Sequence, residues 1–304
     1  KAQNPSLTVL VSVGGWLWSG NFSEMCLTAE SRRVFIDSVM AFLDRYKLDG
    51  LDIDWEYPGL EGATKNFRPE DKENFTALVK ELRERFEAKT RTTHRHLILT
   101  MAAGSSTEFL THTEMDKVAR YMDDVNLMAY DYYEPSESGG VNLTGHHAPL
   151  YANPADPKKA STDESIREFL QAGVPADKIV LGVPFYGHTW GHVAATNHGL
   201  YQKGQMIPHV YSSYGSLAAQ LKEPNSKAIR YWDDAASVPY IYNAEAQTFT
   251  SYEDPQSIKI KCRYVLDHHL AGVMFWDYES DPTGALLHAV DESLDLSNAK
   301  RRRP

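Results

Sequence analysis

Six short runs rich in apolar and β-branched residues recur along this chain, with amphipathic stretches of helical period between them. They are Thr8 to Val13, Gly50 to Asp54, Leu97 to Ala102, Val125 to Met128, Ile179 to Pro184 and Gly272 to Trp276. This alternation is the pattern of βα units feeding a parallel sheet. Phe35, Val39, Phe42, Leu43 and Tyr46 make one apolar helical stripe, and Phe75, Leu78, Val79, Leu82 and Phe86 make a second; each is expected to pack on the outside of the sheet. Further helices are expected around Ile166 to Leu170, stopped by Gly173, around Ile258 to Leu266, and around Ala285 to Val290.

The interval from His188 to Asp254 breaks the rhythm, being rich in Tyr, Ser, Asn and Pro. It reads as short strands with turns and one helix near Leu217, a small α+β insert. An α/β barrel commonly takes about 250 residues plus insertions, so the 304 residues need only one large domain carrying that insert. The expected division is a barrel over 1–187 and 255–298, the insert over 188–254, and a disordered tail over 299–304.

Charge and composition exclude several classes. A net charge of -10 repels phosphate backbones, and the Lys300-Arg301-Arg302-Arg303 tail is too short to reverse that, so no nucleic-acid partner is expected. No apolar run approaches the roughly 20 residues that span a bilayer, so no membrane association is expected. Cys26 and Cys262 match no metal spacing and are either one long-range disulfide or two buried thiols. His188 and His192 have i, i+4 spacing without the Glu and helix of a zinc protease motif, and His94 with His96 has no third ligand; no metal and no cofactor are expected. The chain starts at Lys1, so a signal peptide would lie upstream.

The richest stretch is Leu48-Asp49-Gly50-Leu51-Asp52-Ile53-Asp54-Trp55-Glu56-Tyr57-Pro58. Side chains alternate faces along a strand, so Asp52, Asp54 and Glu56 share one face while Leu51, Ile53 and Trp55 take the other. The helices of a barrel would cover the apolar face, which points the acids into the barrel at its C-terminal mouth. Acids about 7 Å apart along one face push each other's pKa values apart, so one can stay protonated near neutral pH while its neighbours are ionised. Glycosidic cleavage needs that division, a proton for the leaving oxygen and negative charge near an oxocarbenium-like transition state. Glu56, nearest the mouth, is the candidate acid. A surface strand decorated with acids, or a Mg²⁺ or Ca²⁺ site, is the structural alternative.

Asp49-Gly50-Leu51-Asp52-Ile53-Asp54-Trp55-Glu56 resembles the signature of family 18 glycoside hydrolases, the chitinase family. Ser12-Val13-Gly14-Gly15, Met128-Ala129-Tyr130-Asp131, Gly182-Val183-Pro184-Phe185-Tyr186-Gly187 and Gly272-Val273-Met274-Phe275-Trp276 resemble further motifs of that family, each at the end of a strand placed above. The resemblance implies a (β/α)₈ TIM barrel with an α+β insertion domain. It also implies a secreted, monomeric chitinase that cleaves chitin or chitooligosaccharides by substrate-assisted retention, in which the sugar's 2-acetamido oxygen attacks the anomeric carbon; such enzymes depart from the two-carboxylate scheme. By similarity Glu56 is the acid, Asp54 holds the acetamido N–H, Asp52 tunes Asp54 and Tyr130 donates to the acetamido oxygen. Asp131, Tyr186 and Met128 line the sugar site, with Trp276 as its floor, Trp16 stacking on the leaving-group sugar, and Tyr57, Trp18 and Trp190 as weaker stacking candidates. Phe22 and Phe35 are expected in the core.

The sequence departs from the family pattern in three places. Two strands that open the family's barrel are missing ahead of Ser12-Val13, so the chain is expected to be a fragment, aggregation-prone through open sheet edges if it exists alone. His188 stands where many relatives carry Arg, and the loop Tyr132 to Gly140 lacks a common Gly-Ser-Trp. The competing readings are an endo-β-N-acetylglucosaminidase acting on N-linked glycans and a chitin-binding lectin without turnover, which typically lacks the acid that Glu56 supplies here.

Overall fold

The computed structural model describes residue 1, residues 3–136, residue 138 and residues 140–294, and the tail expected over 299–304 lies outside them. The chain divides into two compact units, residues 1–128 with 168–180, and residues 129–167 with 181 onward.

In the first unit four parallel strands follow one another in hydrogen-bonded order: β1 (Leu10–Gly14), β2 (Gly50–Asp54), β3 (Ile98–Gly104) and β4 (Asp124–Met128). The register sets Ser12 beside Asp52, Asp52 beside Thr100, and Ala102 beside Asn126. Period-two alternation holds as expected: Leu51, Ile53 and Trp55 are buried, and Trp55 stacks on Phe22 (5.3 Å) and meets Phe75 edge-on (5.8 Å). Phe22 is therefore core, and Phe35 is half-buried beside it.

The helix Asp71–Thr93 buries the expected Phe75, Leu78, Val79, Leu82 and Phe86. The helix Ala29–Tyr46 corrects the expected stripe: Ile36, Val39, Met40 and Leu43 face inward, while Phe42 and Tyr46 are exposed and pack on each other, 4.5 Å between ring centroids. Its start is fixed by a capping box in which Thr28 accepts from the Ser31 N–H and Ser31 accepts from the Thr28 N–H.

The second unit contains β5 (Val141–Leu143), the greater part of β6 (Ile179–Pro184), β7 (Tyr186–Gly191), β8 (Lys203–Met206), β9 (Ser212–Ser213), β10 (Ala228–Asp233), β11 (Val238–Asn243), β12 (Thr248–Ser251) and β13 (Gly272–Trp276). β13 neighbours β6 among the parallel strands. An antiparallel sheet runs β10-β11-β12-β7-β8-β5, with β9 on β7. Tyr133, Trp190, Val193, Leu200, Tyr240, Tyr242 and Phe249 form its core. The helix near Leu217 is Tyr214–Lys222, and Pro255–Asp267 and Ala285–Leu294 occupy the other expected helical stretches. The class is α/β with a small antiparallel insertion sheet. Cys26 and Cys262 are both free, buried thiols. Among the described residues no helix is long and apolar enough to cross a membrane.

Candidate active site

Asp52 is held from three neighbouring strands of the first unit. Ser12 Oγ donates to its Oδ2 at 2.8 Å, and Thr100 Oγ1 (2.5 Å) and Asn126 Nδ2 (3.2 Å) donate to its Oδ1. Parallel pairing in register brings these polar groups to one face, so the row's first carboxylate sits in a ready-made cradle.

Two glycines and a serine fix the exit from β2. A Cβ on Gly14 would lie 1.9 Å from the Asp54 carbonyl oxygen, and Gly14 has φ +115°, so only glycine lets β1 and β2 approach here. Gly15 N–H donates to the same carbonyl at 2.7 Å. Ser19 Oγ lies within hydrogen-bond reach of the Gly15 and Asp54 carbonyls and accepts from the Glu56 N–H at 3.0 Å, which pins the backbone that carries Glu56. Nothing in the sequence pattern singled out Ser19, because its Asp54 and Glu56 partners lie far along the chain.

Asp54 is the acid whose proton is held near neutrality. Burial first, then the charges of Glu56 and Asp52 and a side-chain hydrogen bond with Glu56, push it up to about 7. Its Oδ1 is buried and has no hydrogen-bond partner among the described residues. Glu56 is half-buried at the end of the row.

A second constellation forms in the other unit. Tyr186 donates its hydroxyl to Asp131 (2.8 Å to Oδ1, 2.7 Å to Oδ2), and His188 Nε2 lies 2.8 Å from Oδ1. His147 Nδ1 faces the same oxygen at 3.6 Å, and the Tyr130 ring meets the Tyr186 ring edge-on at 6.2 Å. Burial pushes the Asp131 carboxyl up, but His147 and His188 outweigh it and hold the group below the ordinary carboxylate range. Burial lowers His147 to about 4 and, with the charge of Asp131, raises Tyr186 well above 10. His188, read from sequence as a departure from Arg and as an i, i+4 pair with His192, is thus a direct partner of Asp131. His147 has no role in the sequence reading because only folding brings it to this carboxylate. The segment bearing it is pinned: Ser251 Oγ accepts from the His147 N–H, and Lys261 Nζ, buried with Glu253, donates to the Ala148 carbonyl at 2.6 Å.

The aromatic candidates divide sharply. Trp16, Trp18 and Trp276 are 44%, 82% and 57% exposed, so each is open to solvent. Tyr57 is half-buried with its ring edge-on to Phe109, and Met128 is half-buried at the end of β4. Trp190 is a correction: it is fully buried in the insertion-sheet core, and its indole N–H donates to Asn142 Oδ1 at 2.8 Å, so it offers no face to a sugar. Asp52, Asp54, Glu56, Tyr57, Trp16 and Met128 belong to the first unit; Tyr130, Asp131, Tyr186 and Trp276 belong to the second.

The sequence model for "Glycosyl hydrolases family 18" matches residues 1–281. Chitinase A1 of Niallia circulans is 38% identical over 311 residues, covering 97% of this chain and 43% of that protein. Chitotriosidase-1 of Mus musculus is 32% identical over 321 residues, covering 100% of this chain and 67% of the relative. The chain thus spans less than half the length of the first of these relatives. A solved structure of a glycoside hydrolase family 18 N-acetylglucosaminidase from Paenibacillus barengoltzii superposes with a TM-score of 0.88 at 42% identity, covering 96% of this chain and 84% of that one. Likeness at this level bears out the α/β, TIM-barrel-like class with its small insertion sheet.

Proposed function

This chain belongs to the glycosyl hydrolases family 18, and from that premise we propose that it hydrolyses β-1,4-linked N-acetylglucosamine chains, chitin or chitooligosaccharides, with retention of anomeric configuration. The observation that carries the reading is the Asp54–Glu56 pair, two hydrogen-bonded carboxyls that keep a proton near neutral pH. Breaking a glycosidic bond requires protonation of the leaving oxygen and stabilisation of positive charge on the sugar ring.

In the proposed sequence Glu56 gives its proton to the glycosidic oxygen while the substrate's 2-acetamido oxygen attacks the anomeric carbon. The bond to the leaving sugar breaks and an oxazolinium ion forms. Water then attacks the anomeric carbon, the ring of the oxazolinium opens, and the Glu56 carboxylate takes up the water's proton. Asp54 Oδ1, buried and without a protein donor among the described residues, is the acceptor for the acetamido N–H. The charge of Asp52 helps keep a proton at Asp54. Tyr130 as donor to the acetamido oxygen, and Trp16, Tyr57, Met128, Asp131, Tyr186 and Trp276 as substrate contacts, are parts of the same proposal. So are action outside the cell, where the polymer lies, and a monomeric state.

The test is to incubate the chain with a soluble chitin oligosaccharide and follow product anomers by NMR. The β-anomer should appear first, and Glu56→Gln should lower the rate by about 10²- to 10⁴-fold, the usual worth of a positioned general acid. Binding without turnover in the wild type would favour a lectin. The 42% identity to the N-acetylglucosaminidase supports a second reading, release of single sugars from a chain end. Monosaccharide as the sole early product would select it; disaccharides and longer fragments would select the chitinase.

A further inference from the structure

We propose that Asp131, His147 and His188 form a binding site for a divalent transition-metal ion of the zinc class. One ligand atom from each residue, a carboxylate oxygen and two imidazole nitrogens, lies within 4.8 Å of the others. An ion bound tetrahedrally at about 2.0–2.1 Å sets its ligands roughly 3.3–3.5 Å apart. The separations from Asp131 Oδ1 to His188 Nε2 (2.8 Å) and to His147 Nδ1 (3.6 Å) bracket that value, and rotation of the side chains would bring the three atoms around an ion.

Hydrogen bonding accounts for His188 but leaves His147 unexplained. Its ring is buried, and neither nitrogen has a hydrogen-bond partner among the described residues. A buried imidazole normally satisfies at least one nitrogen. Here Nδ1 is aimed at the oxygen that His188 also faces, and metal ligation would employ it. The Tyr186 hydroxyl on the carboxylate is the outer hydrogen bond that orients a ligating group.

Two imidazoles with one carboxylate select zinc, copper or nickel over calcium and magnesium, which prefer oxygen ligands. The Asp131 side chain is 39% exposed, so an ion there keeps an open coordination position and exchanges with solvent. Resting on the proposed function, one consequence follows: the ion would occupy Asp131 and inhibit hydrolysis reversibly.

The test uses the tag-free chain, stripped with chelator and titrated near neutral pH with Co²⁺, whose visible bands are far stronger in a four-coordinate site than in water. One equivalent should produce those bands, and one equivalent of Zn²⁺ should abolish them. His188→Gln, which keeps a donor toward Asp131 but loses the imidazole, should show no bands and bind zinc at least about 100-fold more weakly; Tyr186→Phe should weaken binding by about 10- to 100-fold, as loss of an outer-shell partner does. Absence of stoichiometric binding in the wild type overturns the proposal, as do unchanged bands in His188→Gln. If circular dichroism shows that variant unfolded, Asp131→Asn decides by the same criterion. The spectrum is independent of turnover, so failure of the hydrolase reading and failure of the metal site are separate results.

Discussion

On β2, Asp54 stands between Asp52 and Glu56, and burial together with their charges raises it to about 7. In the other unit the partly exposed Asp131 is also pushed up by burial, yet His147 and His188 hold its carboxyl below the ordinary range. Burial acts in the same direction at both sites. The neighbours decide: acids beside Asp54 leave a proton as its counter-charge, and imidazoles facing Asp131 stabilise its anion. One pattern suits a row of carboxyls that must handle protons, the other a group that must remain an anion.

The comparison can be broken most severely at Asp54. Replacing it by Asn removes the carboxyl proposed to hold the acetamido N–H while leaving Glu56 in place, and kcat on a soluble oligosaccharide should fall by about 10²- to 10³-fold, the scale for loss of one preorganised electrostatic contact. Unchanged kcat would remove Asp54 from the reaction.

Next comes the pH dependence of stability. An unfolded Asp releases its proton near pH 4 while folded Asp54 keeps it to about 7, so in this window the native state binds the extra proton. Stability contributed by that proton is fully present below the unfolded pKa and is lost as pH rises through the folded one, at up to about 1.4 kcal/mol per pH unit. Urea unfolding at a series of pH values should show this downward slope in the wild type and a flatter one in Asp54→Asn; parallel curves would contradict the raised pKa.

Asp131 should behave with the opposite sign and a smaller amplitude, being partly exposed. Its folded pKa is depressed, so its contribution is present above the ordinary carboxylate value near pH 4 and is lost as acid carries the pH down toward the folded pKa. Asp131→Asn should therefore reduce the loss of stability on acidification below about pH 4, as read by thermal unfolding. Least of all, Ser12→Ala removes one of three donors to Asp52 and should cost about 1 kcal/mol, seen as a small fall in Tm with no change at Asp131.

What the sequence disclosed follows the range over which each pattern acts. Strands Gly50–Asp54, Ile179–Pro184 and Gly272–Trp276 were legible to the residue because apolar runs meet Gly or Pro near their ends. The row Asp52, Asp54, Glu56 was legible for the same reason: period two is a local property. In Ala29–Tyr46 two apolar stripes overlap, Phe35, Phe42 and Tyr46 against Ile36, Val39, Met40 and Leu43, and hydrophobicity alone does not say which faces inward. Asp131, His147 and His188 come from three separate stretches, so no spacing betrays them. Trp190 had the right residue type for a sugar platform, but only the packing of the insertion sheet shows that it is enclosed.

The short strand β5 bears on how such a chain can be rearranged. Val141–Leu143 pairs with Lys203–Met206 at the sheet's edge, and Asn142 takes the Trp190 indole proton. The antiparallel module is therefore not one continuous cassette bounded at 188 and 254. A transplant of that interval alone would uncover the edge of β8 and strand a buried N–H, so any lineage or engineer that moves the module must carry two separated pieces of chain together.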